Sequence, residues 1–231
     1  MQAVILAAGL VTRMRELTKN TPKPLLKIED QTLLEHNLIA MPDEIDEVVL
    51  VVGYLGEQIK SLIGANSHGK KISYVEQKEL KGTGHALTQC KDVLRDRFLV
   101  LMGDDLYLKK DLEKLIQYHL AILVSDLQND DFNDSRQAVV KIDDQGNLQN
   151  IVERQLAQKN TLVNTGAYVI NMDYFKYPLV PAGNLTTEFG LPQTLLQLVK
   201  NGAKVTVVRA QWWHKVTSPE DLSSRPPRRD L

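Results

Sequence analysis

Ala3-Val4-Ile5-Leu6-Ala7, running straight into Ala8-Gly9-Leu10-Val11-Thr12-Arg13, opens the chain. An apolar run that ends in small residues and a glycine predicts a buried strand, followed by a turn whose backbone N–H groups can approach anionic oxygens. Further short β-branched runs lie at 47–52, 71–76, 98–102, 137–142, 162–170 and 204–209. Stretches of helical period separate several of them. That alternation is the mark of βα units and predicts an α/β, Rossmann-like mixed, mainly parallel sheet flanked by helices.

Outward from the strands, Thr32-Leu33-Leu34-Glu35 reads as a capping box and predicts a helix reaching about Met41. Ser218-Pro219-Glu220-Asp221 repeats the device, with proline at the first helical position. The polar, acidic segment SDLQNDDFND from Ser125 to Asp134 weakens the alternation, and beyond it a turn at Asp144-Gln145-Gly146-Asn147 separates closely spaced strands. This marks a change of subregion within a single domain, 1–222, whose halves are about 1–124 and 135–222. Residues 223–231, SSRPPRRDL, form a Pro/Arg-rich tail expected to fray.

Composition removes several classes of function. The 231 residues are 43% hydrophobic, enough for a real core, and 28 Lys+Arg against 29 Asp+Glu leave no global field for nucleic acid or an anionic membrane. Cys90, the single cysteine, cannot form an intrachain disulfide, and no zinc-spaced Cys/His cluster exists. No apolar run approaches the ~18 residues of a membrane span, and the apolar start lacks the basic region of a signal peptide. The expectation is a cytoplasmic protein without nucleic-acid or membrane partners, its oligomeric state open, a homo-oligomer included.

Chemistry concentrates after the first strand. Arg13 offers a fork of donors for phosphate, and Lys23, between Pro22 and Pro24, is an ammonium on a restricted backbone. The connection is about 15 residues long without evident structure, and loops of that length in α/β folds are usually functional. Asp104, just past the apolar run 98–102, stands at the carboxyl end of a strand, where open α/β sheets place ligands and where a hard carboxylate suits Mg²⁺. Two look-alikes are set aside. Gly64-Ala65-Asn66-Ser67-His68-Gly69-Lys70-Lys71 nearly spells a phosphate loop but reads as a helix C-terminal turn, and Gly82-Thr83-Gly84 lacks the third glycine of a dinucleotide fingerprint. Trp212 and Trp213 read as packing residues.

LAAGLVTRMRELTKNTPKPLL at residues 6–26 resembles the signature of the sugar-phosphate nucleotidyltransferases, LAAGxGTRxxPLTxxxPKPLL. The likeness continues in order through VVGYLGEQI (51–59), VEQKELKGTGHAL (75–87), LVLMGDDL (99–106), IVERQ (151–155), NTGAYVI (164–170) and WWHKVTSPEDL (212–222). The resemblance implies the nucleotide-diphospho-sugar transferase type of fold, with a nucleotide-binding first half and a sugar-binding second half. It implies an enzyme that joins a nucleoside triphosphate, UTP or dTTP favoured, to a sugar 1-phosphate and releases pyrophosphate.

By the same resemblance, Leu6, Ala7, Ala8 and Gly9 meet the nucleotide, Gln77, Gly82 and Thr83 line its base pocket, and Arg13 and Lys23 carry catalysis at the phosphates. Asp104 holds Mg²⁺. Glu153 and Asn164 hydrogen-bond the sugar, with Ala138 beside it. Four residues depart from the pattern: Val11 replaces a glycine, Ala138 stands where many relatives have Tyr-Gly, Arg154 replaces a lysine, and Lys215 stands where the family commonly has a second metal-binding acid. Val11 and Lys215 keep a second reading open, a nucleotide-sugar binding or regulatory protein of the same fold with catalysis weakened.

Overall fold

The computed structural model describes residues 1–9, 14–127, 136–156, 158–183 and 186–223. Strands β1 (Gln2–Leu6), β2 (Lys27–Ile28), β3 (Gln31–Thr32), β4 (Glu47–Val52), β5 (Asn66–Ser67), β6 (Lys70–Glu76) and β7 (Arg97–Met102) come first in the chain. They are followed by β8 (Asp105–Tyr107), β9 (Ala121–Asp126), β10 (Arg136–Ile142), β11 (Leu148–Leu156), β12 (Leu162–Asn171), β13 (Thr206–Arg209) and β14 (Trp213–Lys215). The helices are α1 (Arg15–Thr18), α2 (Leu33–Ala40), α3 (Gly56–Ile63), α4 (Gly82–Thr88), α5 (Lys109–Leu115) and α6 (Leu191–Lys200).

Among the described residues ten strands form one mixed sheet, in the order β11-β10-β12-β7-β1-β4-β6-β5, with β9 pairing β12 and β13. Its first half is parallel, β7-β1-β4-β6. Its second half is largely antiparallel, and β12 lies against β7, so both halves share one sheet. β1 shows why so apolar a run suits the centre. Val4 and Leu6 enter one core with α4 and α6 residues, and Ala3 and Ile5 enter the opposite core with α2, α3 and α5 residues. A parallel strand covered by helices on both faces has no solvent side, and its sequence need not alternate.

The capping box at α2 forms as expected: Glu35 N–H donates to Thr32 Oγ1 at 3.1 Å, and Thr32 N–H donates to a Glu35 carboxylate oxygen at 2.8 Å. At the other end of the chain half of the second box forms. Asp221 accepts from Ser218 N–H at 2.8 Å and starts a 3₁₀ turn over Pro219–Ser223 rather than an α-helix.

Two expectations need correction, and a third, the helix C-terminal turn at Gly64, holds but continues into a hairpin. Ala121–Asp126, including two residues assigned to the polar segment, is the strand β9, buried over its first four residues. The long connection after β1 is not structureless, since it contains α1 and a 3₁₀ turn at Lys23–Leu25. The look-alike phosphate loop is a helix end at Gly64 followed by a hairpin of β5 and β6, turning through His68 and Gly69 at φ 48° and 75°, the left-handed pair of a two-residue hairpin.

Candidate active site

The carboxyl ends of the parallel strands carry most of the residues singled out in the first half. Leu6, Ala7 and Ala8 are buried where β1 ends, and Gly9 is the first exposed residue. Ala7 N–H donates to Val51 O on one side, and Gly103 N–H to Leu6 O on the other, which brings the Gly103-Asp104-Asp105 turn beside the end of β1. Gln77 follows β6, its N–H donating to Val52 O. Its side chain is buried, with Nε2 donating to Gly82 O at 3.1 Å and 3.0 Å from His85 Nδ1. Arg13 and Val11 lie outside the described residues.

Lys23 is 5% exposed, and Nζ donates to Asp104 Oδ2 at 2.6 Å and to the carbonyl of Val216. Pro22 and Pro24 help hold the turn that carries it. Below that turn, a small cluster of Met14, Leu26, Ile28, Leu33, Leu106 and Val216 packs the loop onto the domain. Asp104 is 39% exposed, so the pair has a buried cation and an open acid. Asn37, buried on α2, donates to Asp105 O at 2.9 Å and pins the turn from behind.

Asp105 was not singled out in the sequence, yet it joins the two parts of the site. It is buried at the start of β8, and β8 pairs antiparallel with β14, Asp105 opposite Lys215. Its Oδ2 accepts from Trp213 Nε1 at 3.2 Å and its Oδ1 from Val216 N–H at 3.4 Å. Burial, reinforced by the Asp104 charge, pushes the Asp105 carboxyl far above the usual range against the opposing pull of Lys23 and Lys215. Trp213 therefore packs, as expected, and also donates a hydrogen bond.

Beyond Asp105 opens a cavity of about 280 Å³, lined by Thr83, Asp105, Ala138, Glu153, Asn164 and Lys215 among others. Its size is near the small end of ligand pockets. A β-bulge aims Glu153 there. Gln137 pairs with Gln155 and Val139 with Val152, so Glu153 and Arg154 together face Ala138, with Arg154 at φ 56°. An extra residue of this kind bends a strand and redirects its side chains. Glu153 Oε1 accepts from Gln193 Nε2 at 3.1 Å.

Asn164 sits at a second irregularity, between β12 and β9. Its Oδ1 accepts from Gly166 N–H at 3.0 Å and its Nδ2 donates to Tyr168 OH at 2.6 Å, which leaves one amide hydrogen and one lone pair for a ligand. Thr83 also lines the cavity, and its hydroxyl accepts from Leu191 N–H at 3.0 Å, tying α4 to α6.

Gly82 has a structural reason to be glycine. Its φ is 86°, and a Cβ there would lie 2.5 Å from Phe189 O, because the segment before α6 runs along residues 81–84. The structure thus makes two neighbouring groups of the singled-out residues. Leu6–Gly9, Lys23, Gln77 and Asp104 surround the strand ends, and Thr83, Ala138, Glu153 and Asn164 line the cavity. Thr165, Gly166 and Trp213, which also line it, stand inside the quoted motifs with no binding role expected of them, and Gln193 lies outside every motif.

The family model described as nucleotidyl transferase matches residues 2–224. The bifunctional protein GlmU of Methanocaldococcus jannaschii is 31% identical over 96% of this chain and 52% of its own length, and the chain spans about half the length of such curated relatives. A UTP–glucose-1-phosphate uridylyltransferase, AglF, of Haloferax volcanii is 28% identical over 96% of this chain and 93% of its own. A D-glycero-alpha-D-manno-heptose 1-phosphate guanylyltransferase of Campylobacter jejuni is 35% identical over 76% and 78%. Among solved structures, a putative glucose-1-phosphate thymidylyltransferase of Bacillus anthracis superposes with a TM-score of 0.81 at 22% identity, covering 96% of this chain and 92% of that one. With the match running from β1 to the turn after β14, the chain belongs to the nucleotidyl transferase family, among the sugar-phosphate nucleotidyltransferases.

Proposed function

We propose that the chain transfers a nucleotidyl group from UTP or dTTP to a sugar 1-phosphate, giving a nucleoside diphosphate sugar and pyrophosphate. The observation that carries this reading is the adjacency of the Lys23–Asp104 pair to a sugar-sized cavity bearing Glu153 and Asn164. One phosphoryl group and one polyol would meet across Asp104 and Asp105.

The steps ask little covalent help from the protein. A sugar 1-phosphate oxygen would attack the α-phosphorus in line while pyrophosphate departs, so positioning and charge carry the rate. Lys23 would contact the phosphates at the reacting centre, its ammonium fixed by the Val216 carbonyl. Arg13 would stand at the departing pyrophosphate. The backbone of Leu6–Gly9 would face the nucleotide, with Gln77, Gly82 and Thr83 around the base. Glu153, with Oε2 taking no hydrogen bond among the described residues, and Asn164 would orient the sugar hydroxyls beside Ala138.

The residues present fit Mg²⁺. Asp104 gives Oδ2 to Lys23 and has Oδ1 without a partner among the described residues, and its partial exposure leaves room for water. Among the described residues no cluster of three or more metal-binding side chains occurs, so a single carboxylate would share the ion with substrate phosphates, the usual manner for Mg²⁺. Mg²⁺ bound there would neutralise and orient phosphate oxygens.

The uridylyltransferase relative and the resemblance around Gln77 favour a pyrimidine. The guanylyltransferase relative sets the scope of the test. ATP, CTP, GTP, UTP and dTTP are each paired with several sugar 1-phosphates in the presence of Mg²⁺, and pyrophosphate release is measured. Release with UTP or dTTP is expected. Release only with purine nucleotides overturns the base, and nucleotide binding without release in any pair favours the regulatory reading that Lys215 and Val11 left open. Among the described residues no helix is long and apolar enough to cross a membrane.

A further inference from the structure

We propose that Lys215 is the residue that seats the phosphate of the sugar 1-phosphate, an inference that rests on the transferase reading of the site. Lys215 and Asp105 are direct partners across an antiparallel pair, so their side chains leave the β8–β14 ribbon on the same face, and both line the cavity. The ammonium of Lys215 is half-buried. It donates to Gln137 Oε1 at 3.0 Å, a neutral acceptor, and has no ion pair among the described residues.

The acids nearby are engaged elsewhere. Asp105 accepts from Trp213 and Val216, and Glu153 from Gln193. A half-buried cation beside Asp105 but in no salt bridge among the described residues can still take an anion from outside. The position of Lys215 says which anion. The next residue, Val216, holds Lys23 through its carbonyl, and both lysines act on the Asp105 carboxyl that lies between the two parts of the site in the chain of contacts. Lys23 faces Asp104. Lys215 faces the cavity that holds Glu153 and Asn164, so a sugar seated there carries its own phosphate to Lys215. Gln137 holds the ammonium at a defined place, and the charge held there would favour a phosphorylated sugar over a free one.

The test is calorimetry on the full chain in EDTA, with glucose 1-phosphate, inorganic phosphate, glucose and UTP as separate probes, run on the wild type, Lys215→Met and Lys215→Arg. Loss of one charge-assisted contact is expected to weaken glucose 1-phosphate and phosphate about tenfold or more in Lys215→Met. Glucose and UTP are expected to change less than about twofold, and Lys215→Arg is expected to recover most of the loss. Glucose 1-phosphate binding to Lys215→Met at wild-type strength overturns the proposal, as does an equal loss for UTP. Circular dichroism establishes that each variant is folded, and should Lys215→Met fail to fold, Lys215→Gln replaces it.

The two readings fail separately. A wild type that binds phosphate through Lys215 but releases no pyrophosphate with any substrate pair ends the transferase reading and keeps the anion seat. A Lys215→Met chain with unchanged turnover and unchanged KM for the sugar 1-phosphate ends the anion seat and keeps the transferase.

Discussion

Lys23 Nζ and Asp104 Oδ2 are 2.6 Å apart, although 81 positions separate the two residues in the chain. The pair sets a buried ammonium, already held by a carbonyl, against a carboxylate that solvent can reach. On the proposed function, substrate phosphates would approach the acid's side without dislodging the lysine. Lys23→Ala is expected to lower kcat by roughly 10²-fold or more, the scale of losing one preorganised electrostatic contact. Steady-state pyrophosphate release measures it, and unchanged turnover removes Lys23 from the chemistry.

Asp104→Ala should abolish Mg²⁺-stimulated turnover while the sheet stays intact, because Asp104 is partly exposed and contributes no packing to either large core. The check is a Mg²⁺ titration of activity beside a thermal melt. Full activity at ordinary Mg²⁺ overturns the metal assignment, and its loss with a collapsed melt would show the residue to be structural instead.

Gly82→Ala should be costly to stability. The substitution meets both the left-handed backbone and the Phe189 carbonyl, and a loss of roughly 2–4 kcal/mol follows. Urea denaturation should show a lower midpoint at unchanged slope. A midpoint equal to wild type would mean that the 81–84 and 189 segments part without penalty.

Asp221 makes the turn after β14 sensitive to acid. Burial alone would push its carboxyl up, but N–H donors from Thr217 and Ser218 and the Thr217 and Ser218 hydroxyls outweigh it and hold the carboxyl below the ordinary range. A depressed carboxyl stabilises the fold above the unfolded pKa of ~3.9 and loses that contribution as pH falls through its folded value. Asp221→Ala is expected to cost about 1 kcal/mol at pH 7, the worth of a good cap. The Tm gap between wild type and variant should narrow below about pH 4. A gap independent of pH would show that the charge of Asp221 is immaterial.

Much of the fold was legible because β1, β4, β6, β7, β10, β12 and β13 are β-branched runs bounded by turn residues, and the hydrogen-bonding residues of the α2 capping box are three positions apart. β9 escaped because Leu120-Ala121-Ile122-Leu123-Val124 is a short continuous apolar run after a helix, and periodicity cannot separate a buried strand from a helix end there. β8 and β14 escaped for another reason. Three residues carry no pattern, and their pairing joins positions 105 and 215 with no local signal. In the site, the strand-end residues could be located from sequence order. The bulge that turns Glu153 inward could not be, since a non-glycine residue, Arg154, takes the left-handed backbone.

The β8–β14 ribbon also fixes how late in synthesis the surroundings of Lys23 can be completed. β1, β4, β6 and β7 can pair while the ribosome is still translating the later half, but Lys23 waits for a carbonyl 193 residues downstream. Among the described residues every strand of the large sheet is complete by Arg209, and the ribbon and Val216 follow. A nascent chain thus forms the β1–β7 strand ends early and fixes Lys23 late. On the proposed function, a chain that stops short of β14 would carry the strand-end platform without a fixed Lys23.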